Sequence, residues 1–114
     1  MDDHEMLMWA AKAVGYDTSH HWNVSRMDLD PPIIDLCIPG VSTAWNPLIH
    51  EGERYRLARD LRMSIDFDDC YVCKRFPDHT LIQEFWGGEC GDEAHAVLRV
   101  AAEIGRRMDS GSKG

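Results

Sequence analysis

Long apolar runs are missing from this 114-residue chain: none approaches the roughly 20 residues a membrane helix needs, so no span is expected. Basic charge is scarce as well, with 12 Lys and Arg against 20 Asp and Glu, a net charge of −8 and a pI of about 5.0. Phosphate backbones draw affinity from clustered Lys and Arg, so direct nucleic-acid binding is not expected. The same acidity carries an alternative, an inhibitor that imitates a nucleic acid and occupies the basic groove of a nucleic-acid enzyme or defence complex. Asp2, Asp3 and Glu5 stand where a secretory signal would carry positive charge, and there are only four cysteines. Reduced thiols and a cytoplasmic location are therefore expected rather than a secreted disulfide framework. Walker loop, dinucleotide fingerprint, His-Glu-x-x-His, serine elbow and internal repeats are all lacking.

What is there suits one soluble domain, with 44% hydrophobic and 28% charged residues. Residues 3–14 predict a helix: Met6, Trp9, Ala10, Ala13 and Val14 share a face, Asp2 and Glu5 form a capping box, and Gly15 supplies a left-handed stop. Residues 20–27 alternate as a strand would, Trp22 and Val24 on one face and His21, Asn23 and Ser25 on the other. Pro31, Pro32 and the Pro39-Gly40 turn make residues 28–42 a loop, with one short extended piece from Ile33 to Ile38. A helix is expected from Glu51 to Arg62, with Leu57, Ala58 and Leu61 inward and Arg56, Arg59 and Arg62 opposite. Arg54 falls on the apolar face, where it must snorkel out or meet a carboxylate.

Residues 63–69 alternate with Met63, Ile65 and Phe67 inward; extended runs follow at Cys70 to Phe76 and Thr80 to Trp86, joined through Pro77-Asp78. Gly87, Gly88 and Gly91 lead to a last helix from Asp92 to Met108, whose apolar arc takes in Ala94, Val97, Leu98, Val100, Ala101, Ala102, Ile104, Gly105 and Met108. The expected domain is 1–108, with 109–114 as a disordered tail.

Four residues have metal-ligand chemistry: Cys70, Cys73, Cys90 and His95 could build a tetrahedral zinc site. Against it, residues three apart on a straight strand point to opposite faces, so free thiols are the expected state. Cys90 precedes a helix and could act as a thiolate nucleophile with His95 or His79, but Glu89, Asp92 and Glu93 oppose the charge and no elbow motif surrounds it. Asp66, Asp68 and Asp69 lack the ligand ladder of a calcium hand, and the Arg56, Arg59, Arg62 stripe lies among acids, so both read as solvated faces. Trp45 reads as an anchor of its turn; exposed beside Trp86, it would mark a binding patch instead. These residues assign no catalytic or metal site and no cofactor, leaving a protein partner as the expected contact; a small zinc-binding or thiol protein is a further alternative.

Three segments, MLMWAAKAVGY, WNPLIHEGERYRLARDLRMSI and VLRVAAEIGRRM, give the chain a resemblance to the phage ABA sandwich domain family of small phage and prophage proteins. The match is most specific at Trp45, Asn46, Pro47 and Leu48 and then Gly52, Arg56, Leu57, Ala58 and Leu61. Arg54 stands where that family has a small apolar residue, and His50 where its turn is acidic. The resemblance implies an α+β fold, an antiparallel sheet of about three to four strands flanked by helices (an α-β-α sandwich). It also implies a phage accessory protein in a host cytoplasm, without an established reaction.

Overall fold

Asp2 opens the first helix, α1 (Asp3–Ala13), as its sequence predicts: its carboxylate accepts the Glu5 N–H at 2.8 Å. Gly15, at φ 84°, closes it, with the Tyr16 N–H returning to the Ala11 carbonyl at 2.9 Å. A computed structural model describes residues 1–87 and 92–112, and in it the chain has the expected α+β fold.

Residues 20–27 form no strand. They hold one helical turn, α2 (Trp22–Ser25), followed by a 3-10 turn over Arg26–Asp28. The polarity is inverted relative to the strand reading, since Val24 is 71% exposed and Asn23 only 2%. The Asn23 amide donates to the carbonyls of Thr18 and Cys37 and accepts the Cys37 N–H at 2.7 Å. A polar side chain thus takes an interior place because its hydrogen bonds are completed there. Arg26 extends the tie, donating to the Asp35 and Thr43 carbonyls.

The segment read as a loop contains a hairpin. β1 (Leu36–Ile38) lies within the expected extended piece and pairs with β2 (Ser42–Trp45), a strand not expected, across the Pro39-Gly40 turn with Gly40 at φ 80°. Leu36, Cys37 and Ile38 are all buried, which is why no alternation marks them. Trp45 is buried edge-on to Tyr16, centroids 5.7 Å apart, and so anchors its turn.

After that turn comes α3 (Glu51–Asp60), two residues shorter than expected because Arg62 turns left-handed at φ 55°. Asn46 organises its entrance: its carbonyl oxygen accepts the Leu48 N–H, its amide donates to Asp35, and its own N–H donates to Glu53 at 2.7 Å.

Three antiparallel strands follow as a meander, β3 (Ser64–Asp66), β4 (Tyr71–Arg75) and β5 (Leu81–Phe85), in the order β3-β4-β5. Phe67 does not face inward as its alternation suggests; it is 60% exposed. The strand has already ended, because Asp66 Oδ1 accepts the N–H groups of Asp68 and Asp69, both at 2.9 Å, and turns the chain.

The final helix, α4 (Glu93–Ser112), runs past Met108, its expected end. Its buried arc includes Ala96, Val97, Leu98, Val100, Ala101, Ala102 and Ile104, while Met108 is exposed. α4 contacts α1 as well as β4 and β5, where Val72 and Ile82 meet the helix layer. At the α1 crossing Gly105 is obligatory in size: a Cβ there would lie 2.2 Å from the Trp9 carbonyl oxygen.

Candidate interaction surface

Strand pairing divides the meander into two faces. Ile65, Val72, Lys74, Ile82 and Glu84 share the face toward α4; Ser64, Asp66, Tyr71, Cys73, Arg75, Leu81, Gln83 and Phe85 share the other. That second face is open to solvent along β5, where Leu81, Gln83 and Phe85 are all exposed. Tyr71 and Phe85 stand directly opposite, centroids 5.7 Å apart. Phe67, just past β3, meets Trp86, just past β5, at 5.9 Å. Tyr71 and Phe85 therefore mark one end of the uncovered face, while Trp86, in step with Ile82 and Glu84 and packed against the core, holds the second pair at the border of that end.

An acidic rim borders them. Asp66 is the cross-strand neighbour of Tyr71, and its negative charge, aided by burial, raises the phenol above its ordinary pKa of 10.0. The exposed Asp68 and Asp69 continue the rim, and Arg75 lies toward the opposite end of the strand. The Asp66 carboxylate that could have joined a cation site is committed to its own turn.

The other residues singled out by sequence do not gather here. Cys73 sits on the open face and His95 on α4, against the other face; Cys70 occupies a left-handed position at φ 57°, its Sγ 3.8 Å from the Phe67 carbonyl. Cys37, Cys70 and Cys73 are free thiols, and no three His, Cys, Asp or Glu side chains among the described residues converge as a metal site. Cys90 lies outside the described residues, and with it the proposed nucleophile. Arg56, Arg59 and Arg62 are exposed, Arg59 being paired with Asp60 at 3.1 Å.

Arg54 met its carboxylate. The residue is 7% exposed; its guanidinium donates to the carbonyls of Pro47 and Leu48 and places Nε 3.1 Å from Glu93 Oε2. The Nε–H is not aligned for a hydrogen bond and Glu93 Oε1 also lacks a protein partner, so the contact is an ion pair by distance with one buried polar atom unsatisfied on each side. It ties α3 to the first turn of α4.

Sequence reasoning missed the role of His95. Its Nδ1 lies 2.9 Å from Asp92 and its Nε2 3.4 Å from Asp3, joining the starts of α1 and α4. Partial burial disfavours the imidazolium, yet hydrogen bonds and charge from Asp92 and Asp3 outweigh it and raise its pKa above the ordinary 6.5. Asp92 shifts the other way: burial opposes, but the backbone and ring of His95 hold it below 3.8. The signal was an acid three residues before a histidine in a helix's first turn.

No helix among the described residues is long and apolar enough to cross a membrane. Comparison with family models, curated proteins and solved structures finds no match for the chain.

Proposed function

We propose that this protein acts by contact with another protein and not through chemistry of its own, as a phage or prophage accessory protein in a host cytoplasm. The contact reading rests on one observation: Phe67 and Phe85, 60% and 63% exposed, stand in two aromatic pairs at one end of a sheet whose outer face is open to solvent. Large aromatics held at a surface are the usual anchors of protein interfaces. The acids Asp66, Asp68 and Asp69 beside them suit a partner that presents an apolar side chain flanked by Lys or Arg. The phage setting rests on the resemblance around Trp45, Asn46, Pro47 and Leu48.

The test is retention of proteins from a bacterial lysate by the immobilised chain, compared with a Phe67→Ser/Phe85→Ser variant and an Arg56→Ser/Arg59→Ser control. Loss of the captured protein with the first variant and not the second supports the face. Equal capture by all three removes it. Capture insensitive to the aromatic changes but abolished by moderate salt supports the nucleic-acid mimic instead.

A further inference from the structure

Strand β5 is an edge, and the direction of its backbone groups follows from two bonds at its ends. The Trp86 N–H donates to the Cys70 carbonyl at 3.0 Å and the Phe76 N–H to the Thr80 carbonyl at 2.9 Å. Bonded and non-bonded pairs alternate along an antiparallel ladder, so Thr80, Ile82, Glu84 and Trp86 turn their backbone groups toward β4. Leu81, Gln83 and Phe85 turn theirs outward, and among the described residues nothing pairs them. The edge has no proline, lysine or bulge to block pairing, and its one charged side chain, Glu84, is paired with Arg99. A groove of about 450 Å³ between this strand and Met1, Met6 and Ala102 leaves its flank uncovered.

These outward groups are symmetric about Gln83, and the geometry points to a second copy of this chain as the occupant, β5 pairing antiparallel with β5 about a two-fold axis at Gln83. In that register Leu81 bonds to the partner's Phe85, Gln83 to the partner's Gln83, and Phe85 to the partner's Leu81. Every outward donor of one copy meets an outward acceptor of the other. The side chains agree. Leu81, 43% exposed, comes to lie beside the partner's Phe85 on the open face, and the Gln83 amides meet at the axis. Glu84, the one charged residue of the strand, faces the partner's Ile82 rather than a second carboxylate, and keeps its own Arg99 at 3.5 Å. A continuous six-stranded sheet results, with the Tyr71–Phe85 pair of each copy on its open side.

Sedimentation and backbone amide exchange test this together on the full chain. The expected result is a dimer in which the amides of Leu81 and Phe85, and of Gln83, become protected as concentration rises, while those of Ile82 and Glu84 are protected throughout. Gln83→Pro removes both central donor bonds, and Gln83→Lys sets two ammonium groups together at the axis. Each should weaken dimerisation by about tenfold or more. Gln83 is exposed, so the lysine variant keeps its fold even where the proline variant loses stability. A monomer at the concentrations used for magnetic resonance overturns the proposal. So does a dimer whose Leu81, Gln83 and Phe85 amides exchange freely, or one that Gln83→Lys leaves intact.

Discussion

The crossing of α1 and α4 and the open face of the meander both present uncharged side chains, yet they are opposite kinds of surface. At the crossing Leu7, Ala10, Ala11, Val100 and Ala101 are fully buried, and a missing Cβ at Gly105 lets the helices touch. On the open face Phe85, and at its border Phe67, are among the most exposed large hydrophobics of the described chain. Small residues where contact is closed, large aromatics where it is open: size here tracks accessibility in the reverse of the usual order. Stability therefore resides at the first surface, and the second is free to do something else.

That contrast is broken most severely at Gly105. Adding one methyl group drives a Cβ to 2.2 Å from a backbone oxygen that cannot rotate away, so Gly105→Ala should cost about 3 kcal/mol despite alanine's better helix propensity. Urea denaturation measures it. A variant as stable as the parent would mean that the helices are farther apart than described. Next is Arg54→Met, which leaves Glu93 without its cation in a part-buried site and should cost about 2 to 3 kcal/mol. Arg54→Met/Glu93→Leu should recover most of that loss, because the uncompensated charge goes with it. Asn23→Ala removes three bonds and orphans the Cys37 N–H, for about 2 kcal/mol.

These residues also show how far the sequence could be read. The α1 cap, the α4 arc and the order of the meander were legible, since each is written in neighbours three, four or two positions apart. Asn23 was not. Its partner Cys37 is 14 residues away, so no local window shows that an asparagine flanked by exposed residues is interior. The β1–β2 hairpin was missed for a related reason: three consecutive buried residues carry no alternation. Phe67 was placed inward because its pattern continues from Ile65, but the Asp66 carboxylate ends the strand before the pattern applies. Arg54 was half legible, its need for a carboxylate evident and Glu93 not. The candidate surface was invisible, because which sheet face a helix covers is decided by packing and not by the strands' own period.

The link between the two helix starts has a smaller and pH-dependent effect. His95 has a folded pKa above its ordinary 6.5, so its contribution is complete below pH 6.5 and fades as pH rises through the folded value. Asp92, held below 3.8, contributes above that pH and loses its contribution as pH falls through its own folded value. The pair is worth most between those limits. Since these side chains are more than one-third exposed, solvent screening keeps the expected loss in His95→Ala to about 0.5 to 1 kcal/mol near pH 5, shrinking at pH 8. Denaturation midpoints of parent and variant at the two pH values check the sign; a gap that widens at pH 8 contradicts it.

The smallest effect on stability belongs to the largest side chains. Phe67→Ser removes an aromatic that already faces water and whose main neighbour is Trp86, and Phe85→Ser removes one half of an exposed cross-strand pair. Neither leaves a cavity, so the expected cost is no more than about 0.5 kcal/mol each. A single methyl at Gly105 should thus outweigh both phenyl rings together. Losses above 2 kcal/mol at Phe67 or Phe85 would show that these rings are held by the fold, and the case for an open docking face would go with them. A near-zero cost, joined to loss of a bound partner, would separate folding from contact along the division between the helix crossing and the sheet face.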